Sequence, residues 1–298
     1  MARNPVLYRT MPFTHISIVG VGLLGGSIGL AAKAYASRCK ITGYGHRRST
    51  LERALEVGAI DQATDDLPAA VGSADLVILC TPVGLFAQIL DQIAPHLSKG
   101  TVVTDVGSTK RSVVGQAEEK LPHSVHFVGS HPMAGSEKRG VEFARTDLFQ
   151  KALCILTPTA KTHAGSLESV GRFWTSLGMR LTNLAPDEHD RLLAEVSHLP
   201  HAVAAALVAM QEDQGLSLCG KGFLDTTRIA GGDGALWRDI LLDNADNLRS
   251  ALHRFRQQIV HLEAMLQQKD ANALAGWLDR ASKRREELFQ RKLRETEE

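Results

Sequence analysis

The chain has 298 residues, 44% of them apolar by an inclusive count and 22% charged, with 34 Lys and Arg against 33 Asp and Glu. That length allows about two domains of ~150 residues, and the composition supports a packed core and excludes a natively unfolded chain. A net charge of +1 lacks the basic excess of a nucleic-acid binder, so the expected partner is a small molecule or another protein.

In chain order, His15–Val19 reads as a strand and Leu24–Ser37 as a helix, with a second strand at Lys40–Gly45 and a helix at Thr50–Val57. Leu76–Cys80 is a buried strand, Val83–His96 a helix, Thr101–Val106 a strand, and a further helix starts at Lys110. Val125–Ser130, Leu153–Thr157 and Arg180–Leu184 are strands, with a helix at Leu167–Leu177 before the last. Strands alternating with helices predict an α/β class: a Rossmann-type, mostly parallel, doubly wound sheet over residues 13–184. After Pro186 the strands stop, and residues 185–298 read as an all-α domain. There, Asp187–Gln211 is one helical pattern interrupted by Pro200, which is expected to kink it. Leu248, Leu252, Phe255, Ile259, Leu262 and Leu266 alternate steps of four and three, a seam that packs either inside its own subunit or between two copies. The tail from Lys283 carries both charge signs and reads as a solvated helix.

Ile16–Ala32 is mostly apolar but holds five glycines in 17 positions, a poor hydrophobic helix and short of the ~20 residues a membrane span needs. The glycines have another use. Gly20-Val21-Gly22-Leu23-Leu24-Gly25 is a G-x-G-x-x-G between a strand and a helix. Gly20 allows the turn, Gly22 lets the backbone approach a pyrophosphate, Gly25 permits close packing, and the amides at Leu23 and Leu24 open the helix dipole to phosphate. An NAD site usually ends its second strand with an acid ~20 residues beyond this loop. Here Gly45 is followed by His46, Arg47, Arg48, Ser49 and Thr50, groups that attract a 2′-phosphate, so the expected cofactor is NADP rather than NAD. Ligands lie outside the carboxyl ends of such strands, which adds Thr81 and Pro82 to the cofactor site. No cysteine pair at metal spacing occurs among Cys39, Cys80, Cys154 and Cys219, and the paired His198 and His201, at i and i+3 on one helix face, lack a third ligand at a recognised spacing. No metal is expected, and the cysteine usage fits a cytoplasmic protein.

The segments GVGLLGGS, DVGSTK, SHPMAGSEKRG, SHLPHAV and DTTRIAGGDGALWRDI occur in that order. Together they resemble the prephenate/arogenate dehydrogenase family of tyrosine biosynthesis, over residues 14–270. The resemblance implies oxidative decarboxylation of prephenate or arogenate and a homodimer formed through the helical domain. It implies His131 as the catalytic histidine acting on the ring hydroxyl, with Ser108 between it and the nicotinamide. It also implies Arg228 and His201 at substrate carboxylates, His198 beside them, and Ser136 and Glu137 at the entrance. Trp237 is either core or pocket wall. Family members with an acid after the second strand use NAD, and the chain departs from them at Gly45. The alternatives are a β-hydroxyacid dehydrogenase, whose lysine base is missing from Asp187–Gln211, and a non-catalytic NADP-sensing protein.

Overall fold

Runs of aliphatic and β-branched residues build one eight-stranded sheet in the computed structural model, which describes residues 11–35, 39–135 and 138–297. The strands are β1 (His15–Val19), β2 (Lys40–Tyr44), β3 (Gln62–Thr64), β4 (Leu76–Leu79), β5 (Val102–Asp105), β6 (His126–Pro132), β7 (Leu153–Thr157) and β8 (Arg180–Asn183). Their spatial order is β3-β2-β1-β4-β5-β6-β7-β8, parallel throughout except where β6 meets β7. The helices of this part are α1 (Leu23–Tyr35), α2 (Arg48–Glu56), α3 (Leu67–Val71), α4 (Phe86–Ile93), α5 (Arg111–Lys120) and α6 (Ala164–Ser176).

The strand LVIL of β4 is buried at all four positions, as a parallel strand covered on both faces requires. Its alternate side chains feed two cores. Leu76 and Ile78 join Ile28, Phe173 and Trp174 on one face, while Val77 and Leu79 join Phe86, Leu90 and Val113 on the other. The seven expected strands are all present. β3 and α3 escape a sequence reading because three and five residues are too few for a period to show. His131, one residue past the expected strand Val125–Ser130, lies within β6, opposite Ile155 of β7: the antiparallel partner extends β6 beyond the end of β5.

Beyond β8 come α7 (Pro186–Leu193), a π-helical turn at Ala194–His198, α8 (Leu199–Ala209), α9 (Asp213–Leu216), α10 (Lys221–Thr227), a 3-10 turn at Arg228–Gly231 and α11 (Gly234–Asp243). Helix runs on through Pro200. The wide turn just before it absorbs the missing N–H, and Leu199 keeps helical angles (φ −60°, ψ −50°). The stretch Pro186–Ala209 is long and apolar enough to cross a membrane by length and composition, yet its buried positions include His189, Asp190, His198 and His201.

Residues up to Ala245 pack as one unit and the rest as another. The second unit holds α12 (Ala245–Gln268) and α13 (Ala271–Glu297). They are joined by a turn with Lys269 at φ +54° and by Asp270, whose carboxylate accepts the Ala273 N–H at 2.9 Å. On the expected seam of α12, Leu248 is buried whereas Leu252, Phe255, Ile259 and Leu266 stay exposed.

Candidate active site

The sheet order reverses between β1 and β4, and the crevice outside their carboxyl ends is where doubly wound sheets bind nucleotides. Gly20 sits there at φ +103°, and a Cβ on it would lie 3.0 Å from the Cys80 carbonyl. A Cβ on Gly25 would come within 2.2 Å of the Gly20 oxygen, so α1 is pressed onto the end of β1. A Cβ on Gly22 would meet nothing within 4 Å, and Leu23 and Leu24 open the helix half-buried. Thr81, at the end of β4, keeps a buried hydroxyl oxygen with no partner, beside the exposed Pro82. Open backbone at Gly22, a helix N-terminus and an orphaned hydroxyl suit a dinucleotide pyrophosphate.

At the end of β2, the His46 ring meets Tyr44 edge-on at 5.3 Å. The two arginines differ. Arg48 opens α2 and bonds Glu52 at 2.9 Å along its own helix. Arg47, exposed one residue earlier together with His46 and Ser49, pairs with no carboxylate among the described residues. The expected two-arginine cradle is therefore one arginine with a second already engaged.

On the same carboxyl side, His131 is buried near the end of β6. Its Nδ1 lies 2.9 Å from His189 Nε2, and His189 Nδ1 lies 2.7 Å from Asp190 Oδ1. Burial first, then His189, the Lys110 ammonium and His198, hold His131 well below the usual histidine range. His189 is also lowered, by burial against the opposing pull of Asp190. Burial pushes Asp190 up, but the His189 hydrogen bond and the Arg111 and Lys110 amides outweigh it and leave the carboxyl low. Lys110 is itself fully buried and pairs with Asp105. That carboxylate also accepts the Gly107 amide at 2.8 Å and the Ser130 amide at 3.0 Å. Ser108 is half-buried in the intervening loop.

His198, at the end of the π turn, is fully buried and pushed down to about 4, chiefly by burial. Asn244 Nδ2 donates to the Asp190 carbonyl at 2.7 Å and faces His198 Nδ1 at 3.2 Å. An accepting Nδ1 leaves the proton on Nε2, a buried donor with no partner, although the Ser108 backbone lies close enough to favour the charged ring. His201 stacks on Trp237 with centroids 3.5 Å apart and planes 12° from parallel, and its buried Nδ1 is also unpartnered. Gly232 makes room for this stack, since a Cβ there would sit 2.5 Å from Trp237 Nε1. Half-buried Trp237 is thus a wall that orients His201. Arg228 is exposed on the 3-10 turn that packs on α8, and Asp233 pairs with Arg139. Ser136 and Glu137 lie outside the described residues.

The structure therefore gathers His131, His198 and the Ser108 loop, and sets His201 and the Arg228 turn on α8. Sequence reasoning missed His189, Asp190, Lys110 and Asn244. A His-Asp pair in the first turns of a helix carries no spacing signal of its own.

The model described as prephenate dehydrogenase, nucleotide-binding domain, matches residues 28–183, and the one described as prephenate dehydrogenase, dimerization domain, matches residues 185–280. The chain belongs to the prephenate dehydrogenase family. Cyclohexadienyl dehydrogenase of Zymomonas mobilis is 35% identical, with 88% of this chain and 92% of that protein covered. Prephenate dehydrogenase of Bacillus subtilis is 36% identical over 92% of this chain and 76% of its own length. The crystal structure of Aquifex aeolicus prephenate dehydrogenase, in complex with hydroxyphenyl propionate and NAD+, superimposes with a TM-score of 0.87 at 36% identity. It covers 92% of this chain and 98% of that one. Membership in this family of oxidoreductases of tyrosine biosynthesis displaces the β-hydroxyacid dehydrogenase alternative, and the Rossmann-type fold followed by helices is the family's own.

Proposed function

We propose that the chain oxidises and decarboxylates prephenate or arogenate with hydride transfer to NADP, giving 4-hydroxyphenylpyruvate or tyrosine. The observation that carries this reading is a buried His131, held by burial well below the usual histidine range, at the carboxyl end of β6, on the same edge of the sheet as the nucleotide crevice. Gly20, Gly22, Leu23, Leu24, Gly25, Thr81 and Pro82 hold the dinucleotide, whose nicotinamide when bound supplies the hydride acceptor. His131 takes the proton of the ring hydroxyl as hydride leaves the same carbon, and the ring carboxylate departs as carbon dioxide. A positioned base of this kind contributes ~10²–10⁴ in rate. Ser108 orients the hydroxyl. The orphaned donor of His198, the ring of His201 and the guanidinium of Arg228 meet the substrate's carboxylates, and Ser136 and Glu137 belong to the entrance.

NADP rests on Gly45, where an acid would repel a 2′-phosphate, and on the exposed Arg47 with His46 and Ser49 beside it. Arg48 adds to this once released from Glu52. We further infer a cytoplasmic homodimer, with a nucleotide domain over residues 13–184 and a helical substrate and dimerisation domain over 185–298. The deciding experiment measures initial rates at the reduced-nicotinamide absorbance band for prephenate and arogenate, each with NADP and NAD. The reading expects turnover, fastest with NADP. Equal or faster rates with NAD remove the cofactor assignment, and silence in all four combinations, with NADP still bound, leaves a sensing protein.

A further inference from the structure

We propose that His189 and Asp190 are positioning residues that fix the tautomer and orientation of His131, and that the same carboxylate ties this control to the seating of α7 on α5. The proposal rests on the reading of His131 as the base.

Helix α5 has no side-chain cap of its own, since Lys110 at its N-cap offers none. Its first amides are satisfied from 79 and 80 residues away: Lys110 N–H donates to Asp190 Oδ1 at 2.7 Å and Arg111 N–H to Asp190 Oδ2 at 2.9 Å. An anion at a helix N-terminus is favoured by the helix dipole, which helps keep Asp190 ionised. An ionised carboxylate only accepts. The His189 Nδ1 beside Asp190 Oδ1 must therefore carry the hydrogen. Burial lowers His189 and favours its neutral ring, whose Nε2 is bare once Nδ1 holds the hydrogen. The 2.9 Å approach of His131 Nδ1 to that Nε2 then requires the hydrogen on His131 Nδ1. What remains on His131 is an Nε2 lone pair, the form able to take a proton.

Reversing any one link reverses the chain and leaves a hydrogen on His131 Nε2, where it blocks the base. The other groups that act on the His131 ring are the Lys110 ammonium and the His198 ring, while the Cys154 thiol meets the His131 backbone. Lys110 and His198 disfavour a second proton on the ring, so in the resting state only the His189–Asp190 side dictates where the one proton sits. When Nε2 accepts the substrate's proton, the new imidazolium keeps its Nδ1–H on His189, and His189 keeps its own on Asp190. No proton moves to the carboxylate. Withdrawing α7 from α5 would uncap the helix and release the tautomer in one movement.

The test compares His189→Gln with His189→Asn. A glutamine places its terminal amide about where His189 Nε2 lies, with its NH2 turned back to donate to Asp190 and its oxygen left to accept from His131. An asparagine reaches only to the Nδ1 position, so it keeps the bond to Asp190 but leaves His131 without an acceptor. Histidine ¹⁵N–¹H correlation spectra of labelled protein, with His131 assigned by its absence in His131→Gln, should show the Nδ1–H form in the parent and in H189Q. In H189N that form should be lost. Turnover in H189N should fall about tenfold or more, with KM and nucleotide affinity within about twofold, and H189Q should recover most of it. A parent His131 protonated on Nε2, or an H189N protein with parental tautomer and kcat, overturns the proposal. If H189N fails to fold, the parent spectrum together with loss of the Nδ1–H form in Asp190→Ala decides in its place. A parent with the Nδ1–H form but no turnover of prephenate or arogenate refutes the base assignment and leaves the tautomer control standing.

Discussion

A histidine near the end of a buried strand titrates unlike one in water. For His131, burial, His189, Lys110 and His198 all disfavour the imidazolium, so the ring stays neutral as pH falls through ~6.5, the ordinary histidine value. The acid limb of kcat/KM, which reports the free enzyme, should therefore have its midpoint below that value, and His131→Ala should lose the limb along with ~10²–10⁴ of kcat. A midpoint at or above ~6.5, or an unaltered kcat in the variant, would contradict this assignment. His131 and Ser108 were legible because each stands in a motif of fixed residue types. His189 and Asp190 were not, because their importance comes from packing: Asp190 acts on amides 79 and 80 positions away, a relation that no local pattern records.

Among the elements, α1 and the helix after β8 show why legibility varied. The glycines of the nucleotide loop announce a close approach, and the 2.2 Å from a built Cβ on Gly25 to the Gly20 oxygen confirms it. Gly25→Ala should push α1 off β1, lower the unfolding temperature and weaken dinucleotide binding by tenfold or more. Calorimetry with NADP reads this directly, and unchanged affinity would show that α1 is not the phosphate-binding helix. Periodicity misled in the second case. His189 and His198 are nine positions apart, about two and a half turns of a regular helix, and so fall on opposite faces. The π turn at Ala194–His198 shifts that phase by roughly one residue and brings both rings to one site. A turn of this kind leaves no compositional trace, whereas Pro200 does, and Pro200 was the lesser feature.

At the scale of the whole molecule, Leu252, Phe255, Ile259 and Leu266 form an exposed stripe on α12. An apolar row left open in one copy fits a second copy better than a partner inside the subunit. Phe255→Glu combined with Ile259→Glu should shift sedimentation from dimer to monomer. A variant that remains dimeric, or a monomeric parent, would place the subunit interface elsewhere or remove it. The layout itself was open to sequence reading, since strands that alternate with helices and then cease announce two kinds of architecture. The antiparallel β6–β7 pair was hidden, because direction is set by where a chain returns, and strand composition does not encode it.

The buried pair of Asp105 and Lys110 constrains how this protein can change over generations. Removing either member alone strands a charge in the interior at a cost of about 3–5 kcal/mol, a large part of the ~5–15 kcal/mol that holds a typical domain folded. Losing Asp105 also abandons the Gly107 and Ser130 amides. Replacing both by apolar residues of similar volume removes the stranded charge but still leaves those two amides unpaired, and no single substitution leads there. The two positions form a locked combination, and neutral drift around the site must pass through the residues that surround them.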